Sequence, residues 1–186
     1  METIDTIKQR RAVREYTDAP IESSTIERLI GAAILAPSAM NLQPWAFAVL
    51  LNRERIGECA RRTKEWLLSN FQHTSLDPSL RKLIEGETYS VFHGAPAVVL
   101  ILAKSPEAQA SEDCCLAAEN LMLAARNEGL GTCCIGLARH WLNLSSTKQE
   151  LGLPASYEVV VPIVLGRPKA WPESHGRNPA EIHWLK

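Results

Sequence analysis

Three arginines, Arg10, Arg11 and Arg14, fall close together after Lys8. A guanidinium is a planar fork of donors matched to phosphate or carboxylate oxygens, so such a run can converge on one anion. A solvated helix end has the same look, and these residues alone leave both readings open. A second concentration of polar groups is PSAMNLQP, residues 37–44, where Ser38, Asn41 and Gln43 offer hydroxyl and amide groups between two prolines. Asn41 and Gln43 serve either a ligand or the turn itself. The third is GLGTCCIG, residues 129–136. Gly131 and Gly136 have the spacing of a phosphate loop, but Leu137 and Ala138 stand where Lys and Ser or Thr are required, and Cys134 replaces the third glycine of a dinucleotide fingerprint. The sequence has no G-x-S-x-G, no H-E-x-x-H and no C-x-x-C, and its five histidines are scattered, which argues against a metal centre. The vicinal pairs Cys114–Cys115 and Cys133–Cys134 read as small packing residues rather than redox groups.

Hydrophobic periodicity supplies the elements that must position these groups. A short helix is predicted over 3–11 with Ile4 and Ile7 on one side, and a second begins at Ser24, whose spacing to Glu27 makes a capping box. That helix carries Ile26, Leu29, Ile30, Ala33 and Ile34 and stops before Pro37. Residues 45–51 form a buried strand, and 53–69 an amphipathic helix with Ile56, Ala60, Thr63 and Leu67 inward and pairs such as Glu58 with Arg62 outward. A polar stretch runs to about Gly94, and 96–103 is a second strand. From Cys114 to Ala125 only Glu119 and Asn120 are polar, so the helix predicted over 112–128 must be covered on most sides, which favours a subunit interface. Asn120 reads as a buried, satisfied amide. Gly129 stops this helix, a short helix starts near Ser146, and 157–165 is a third strand in which Pro162 implies an edge or a bulge. The mixture of helices and strands is α+β or α/β.

At 186 residues the chain is expected to form one domain spanning 1–186, with no room for separate cofactor and substrate domains. Twenty Lys and Arg against 21 Asp and Glu leave a net charge of −1, so no broad basic field exists for nucleic acid or anionic membrane, and any anion site is local. The uncharged run between Arg28 and Arg53 is interrupted by Pro37, Asn41, Gln43 and Pro44, so no spanning helix is expected. With no signal-like apolar run at the start and an odd count of five cysteines, a cytoplasmic protein is expected.

The segments RRAVREY, APSAMNLQPWAF, HGAPAVVLILA, AAENLMLAARNEGLGTCCIG and VVPIVLGRPK follow one another in an order that resembles the FMN-dependent nitroreductase family. The resemblance covers nearly the whole chain and is weakest over about 53–90. It implies an α+β homodimer with a central, mostly antiparallel sheet and two FMN molecules at the subunit interface. By motif match, Arg10, Arg11, Ala12 and Arg14 hold the phosphate, ribityl and pyrimidine edge from one subunit. Pro37, Ser38, Ala39 and Asn41 approach the flavin from the other, supported by Gln43. Cys134, Ile135, Gly136 and Leu137 pass backbone groups near the flavin N5, and His175 and Arg177 match the two cationic phosphate contacts.

Two positions depart from the family pattern. Ala12 lacks the usual hydroxyl, and His175 stands where a permanent cation is common, which would tie phosphate affinity to an imidazole that titrates near neutrality. Residues 60–75 match none of the family's middle flavin contacts. The chemistry implied is hydride transfer from NADH or NADPH to the flavin and then to a nitroaromatic or quinone-type acceptor, the cofactor carrying the redox step. The alternative is a flavin-binding redox sensor or carrier of the same fold that does not turn over nicotinamide.

Overall fold

The computed structural model describes residues 2–73 and 76–185; Thr74 and Ser75, in the unmatched middle segment, lie outside the described residues. Two runs organise it. Ala97–Ala103 (β2) is buried at every position, and Glu158–Gly166 (β4) at all but its first. Strands this apolar must be covered on both faces, and they occupy the middle of a four-stranded sheet of order β1-β2-β4-β3, with Trp45–Leu50 (β1) and Gly131–Cys134 (β3) at its edges. All three pairings are antiparallel.

Side chains alternate across the sheet. Val99, Ile101, Ile163 and Leu165 face one core with Ile26, Leu29 and Ala33 of α2 (Ser23–Ala33) and with Cys114, Ala117, Leu121 and Ala125 of α5 (Ala108–Asn127). Val98, Leu100, Leu102 and Val164 face a second core with Ile56, Ala60 and Leu67 of α3 (Arg53–Asn70), Ile84 of α4 (Pro78–Glu85), and Trp141 and Leu142 of α6 (Arg139–Leu142). The result is a three-layer α+β arrangement, with α1 (Thr3–Gln9) lying against α5 and α7 (Ser145–Leu151) leading into β4. Among the described residues no helix is long and apolar enough to cross a membrane.

Several sequence expectations need correction. The capping box at Ser24 does not form, because Glu22 takes the N-cap position with extended backbone and leaves Ser24 inside the first turn. The polar stretch before Gly94 contains α4, whose Asp77 side chain caps the Ser79 N–H while Pro78 opens the first turn. Glu58 pairs with Arg61 rather than Arg62, which reaches Glu150 instead. Pro162 lies on an inner strand. The bulge half of that expectation holds, since Ile101 faces Val161 while Leu102 faces Val159, leaving Val160 as the extra residue. The Pro162 carbonyl accepts from the Ile135 N–H at 2.8 Å, so its donor-less side faces the chain just past the end of β3, where no ladder is broken. Ile4, Ile7 and Leu116 are 59%, 50% and 46% exposed, so in the single chain α1 buries Thr6 instead of its isoleucines and α5 keeps one uncovered side.

Candidate functional site

The arginine segment is fixed by backbone pairing to the ends of β3 and β4. The chain leaves α1 in extended conformation at Arg10. Ala12 then bridges to Thr132, and the Val13 N–H donates to the Thr132 carbonyl at 2.9 Å. Further on, Tyr16 bridges to Pro168, and the Thr17 N–H donates to the Arg167 carbonyl at 2.9 Å. Val13 and Tyr16 point inward, and the buried Tyr16 hydroxyl donates to the Val13 carbonyl at 2.6 Å, bracing the segment from inside. Burial pushes the Tyr16 pKa far up, so the phenol remains a neutral donor. Arg14 and Glu15 are left facing outward.

The outward side chains and the C-terminal segment enclose a cleft of about 480 Å³. Of the predicted contacts, Arg10, Arg11, Ala12, Arg14, His175 and Arg177 all line it, with Glu15 and Glu173 as the acidic members. The C-terminal segment is held there by Trp171, whose ring lies 3.6 Å from the Arg126 guanidinium carbon. Arg126 also donates to Gln9 Oε1 at 2.8 Å, so one side chain of α5 clamps α1 and the C-terminal segment together. The cations differ in availability. Arg10 pairs with Glu119 at 3.3 Å, and Arg11 donates to the carbonyls of Lys8 and Arg10 at 2.7 Å each. Arg14 has no carboxylate in ion-pair contact among the described residues.

The amide loop stands apart from this cleft within one chain. Met40, Asn41 and Gln43 have φ of 49°, 57° and 48°, left-handed values that non-glycine residues adopt only when held. The holding contacts are the Ser38 carbonyl accepting the Asn41 N–H, the Ser38 hydroxyl accepting the Gln43 N–H, both at 3.0 Å, and Gln43 Nε2 donating to Asn41 Oδ1 at 2.9 Å. The turn-capping reading of these amides therefore describes the single chain. Beneath the loop the buried Asp113 carboxylate accepts the Ala39 N–H at 3.2–3.3 Å. Pro37, Asn41 and Gln43 are exposed, as are Met40 and Leu42 at 91% and 66%.

Past β3, Ile135 is buried, Leu137 is half-buried, and Cys134 and Gly136 are exposed; none of the four lines the arginine cleft. Cys133 and Cys114 are buried, whereas Cys134 and Cys115 are exposed, so the packing role holds for one member of each pair. Burial pushes the Cys114 thiol up to about 12, the reverse of nucleophile activation. Asn120 is satisfied as expected, donating to the Ala32 carbonyl at 3.3 Å.

A second cleft, of about 620 Å³, opens on the other side of Arg14 and is lined also by Lys82, Thr88, Tyr89, Ser90 and His93. The sequence reading gave no role to Lys82, Thr88, Tyr89, Ser90 or His93, and it missed Asp113 and Arg126 as well. Asp113 was detectable as an acid opening an otherwise apolar helix. The others become neighbours only through packing.

Residues 7–167 match the family profile described as the nitroreductase family. A protein of Archaeoglobus fulgidus named as an NADH dehydrogenase/NAD(P)H nitroreductase is 31% identical, with 98% of this chain and 97% of that protein covered. The NADPH-flavin oxidoreductase of Vibrio harveyi is 26% identical over 97% of this chain and 71% of its own length. The crystal structure of a nitroreductase with bound FMN from Bacteroides fragilis superposes with a TM-score of 0.84 at 27% identity, covering 100% of both chains. Likeness in fold and sequence over that span makes the chain a member of the nitroreductase family.

Proposed function

We propose that the chain works as a homodimer that passes a hydride from NADH or NADPH, by way of FMN held between subunits, to a nitroaromatic or quinone-type acceptor in a ping-pong cycle. It is an FMN-dependent oxidoreductase. The observation that carries the reading is the arginine cleft, which gathers Arg10, Arg11, Arg14, His175 and Arg177 around about 480 Å³, a volume suited to a small cofactor and a donor set suited to its phosphate. Bound FMN would supply a two-electron carrier between nicotinamide and acceptor.

Each part of the chain then has a task. Arg10, Arg11, His175 and Arg177 hold the phosphate end, and Ala12 lets the backbone approach. Arg14, with no acid opposite it, meets negative charge at the pyrimidine edge and favours the reduced state. Cys134, Ile135, Gly136 and Leu137 offer main-chain groups past β3. Pro37, Ser38, Ala39, Asn41 and Gln43 close the site from the second copy. The exposed Ile4, Ile7, Met40, Leu42 and Leu116 support that partner, being apolar surface near the elements concerned.

Charge alone does not retain the cofactor. Three hydrogen bonds to a charged group give about 5–9 kcal/mol gross at ~1.5–3 each. Association costs about 4–15 kcal/mol, and micromolar affinity needs about 8 kcal/mol net. Burial of an aromatic ring between subunits has to supply the difference. The test is anaerobic stopped-flow absorbance of the FMN-loaded protein. NADH or NADPH bleaches the flavin band, and an added nitroaromatic or quinone restores it. Failure of both nicotinamides to bleach would leave the flavin carrier or sensor in place of the reductase.

A further inference from the structure

The second cleft has a one-sided lining: two cations, Arg14 and Lys82, with the imidazole of His93, the hydroxyls of Thr88 and Ser90 and the ring of Tyr89, and no carboxylate. Arg10, Arg28, Arg53, Arg61, Arg62 and Arg81 are each in contact with an acid. Among the described residues neither Arg14 nor Lys82 is. Arg14 lines both clefts, so a molecule in the second lies across one guanidinium from the first.

The wall opposite Arg14 is built to hold its shape. His93 has φ 52° and Gly94 φ 62°, two consecutive left-handed residues. The turn is tied by the Ser90 carbonyl accepting the His93 N–H and the Phe92 carbonyl accepting the Ala95 N–H, both at 3.0 Å, and anchored by Val91 and Phe92 in the core. It sets the His93 ring edge-on to Tyr89, with centroids 6.2 Å apart. A non-glycine left-handed residue held this way costs stability, and such positions concentrate at binding sites.

We propose that this second cleft, joined to the flavin site through Arg14, selects acceptors that carry a carboxylate or phosphate on an aromatic body, with Lys82 and His93 meeting the anion and Tyr89 flanking the ring. The assignment rests on the flavin reading above. The same anion chemistry is available from the phosphates of the nicotinamide dinucleotide, and the arms of the experiment separate the two.

The probes are 4-nitrobenzoate and its uncharged analogue 4-nitrobenzamide, compared in the FMN-loaded protein and in Lys82→Met. The ratio of kcat/KM for acid over amide falls about fivefold in the variant, the factor for ~1 kcal/mol of a partly exposed ion pair. Calorimetry with benzoate shows a matching loss of affinity. An unchanged ratio with unchanged benzoate affinity overturns the proposal. An unchanged ratio with raised KM for NADH and NADPH also overturns it, and gives the cleft to the dinucleotide. Nicotinamide bleaching in the same preparations shows whether the flavin reading stands independently of either result.

Discussion

Gly131 tests the claim that β3 positions the arginine segment. A Cβ at Gly131 would lie 2.6, 2.7 and 2.8 Å from Cγ2, Cβ and Cγ1 of Val13. Carbon atoms prefer ~3.5–4 Å. Because the Val13 Cβ is itself one of the three atoms, turning its side chain gives no relief, and the backbone between Arg11 and Arg14 has to move. Gly131 does not have a left-handed φ, so packing is the whole effect. Overpacking costs about 1–3 kcal/mol, offset by ~0.4–1 kcal/mol from stiffening the unfolded chain. The net loss in Gly131→Ala is about 1–2 kcal/mol, a fall in Tm of roughly 2–8 °C for a chain of this size. The displaced guanidinium groups weaken FMN binding by about tenfold, the equivalent of one impaired charged hydrogen bond. Thermal melts of the apoprotein and titration of FMN fluorescence read the two effects separately. Gly57→Ala is the control: nothing lies within 4 Å of its added Cβ, and in the interior of α3 it raises stability by about 1 kcal/mol. An unchanged Tm and unchanged FMN affinity in Gly131→Ala would falsify the positioning role.

Other substitutions probe the remaining parts. Arg10→Ala and Arg177→Ala each lower FMN affinity by roughly tenfold or more, the value of a hydrogen bond to a charged group; equal affinity in both removes the phosphate site. Asp113→Ala strips the acceptor from the Ala39 N–H and destabilises the protein by about 1–3 kcal/mol in chemical denaturation, and a loss under ~0.5 kcal/mol means the amide loop is held by other contacts. Burial, then the Arg14 charge, holds the His93 imidazole below its ordinary value, so the folded protein refuses a proton that the unfolded chain accepts. The stability from this group is full above the free-imidazole pKa of about 6.5 and drops as pH falls through it. In His93→Asn, a residue that tolerates the left-handed φ, the Tm loss between about pH 7.5 and 5.5 shrinks; an equal loss in both proteins assigns the acid sensitivity elsewhere.

What the sequence disclosed followed how locally each feature is encoded. β2 and β4 were readable because an uninterrupted apolar run has no exposed face to offer, and α3 because Ile56, Ala60, Thr63 and Leu67 keep helical spacing and all go under. α4 was not, because Ile84 is its single buried residue and gives no period; the Asp77–Pro78 start signal was present but had no apolar stripe behind it. β3 was read as a glycine-rich connection, since four residues are too few to show alternation. The arginine run at 10–14 left an anion site and a solvated helix end both open, and His175 and Arg177 entered only through the family resemblance, so the cleft was legible only with that resemblance. The second cleft draws Arg14, Lys82 and His93 from separate segments, and only the fold brings them to one concavity.

A nearly neutral chain makes cationic clefts by deciding where its acids go. On the outer surface Arg61 is flanked by Glu58 and Glu65, Arg62 by Glu150 and Arg81 by Glu85, all exposed pairs that contribute only ~0–1 kcal/mol each to stability. They neutralise Arg61, Arg62 and Arg81 locally, while Arg55 and Lys64 on α3 and Lys82 on α4 have no carboxylate in ion-pair contact among the described residues. Arg53 is likewise answered by Asp18, and Arg28 by Glu128. What remains unanswered among the described residues includes Arg14 and Lys82, and both face the same cleft. Screening by salt acts over about 8–10 Å at moderate ionic strength, so added salt takes little from the fold and weakens the hold of an anion on exposed cations such as these two. The backbone pairs at Thr132 and Pro168 determine where Arg14 stands, and the placement of carboxylates elsewhere leaves it, among the described residues, without an acid partner and beside the Cys133 thiol.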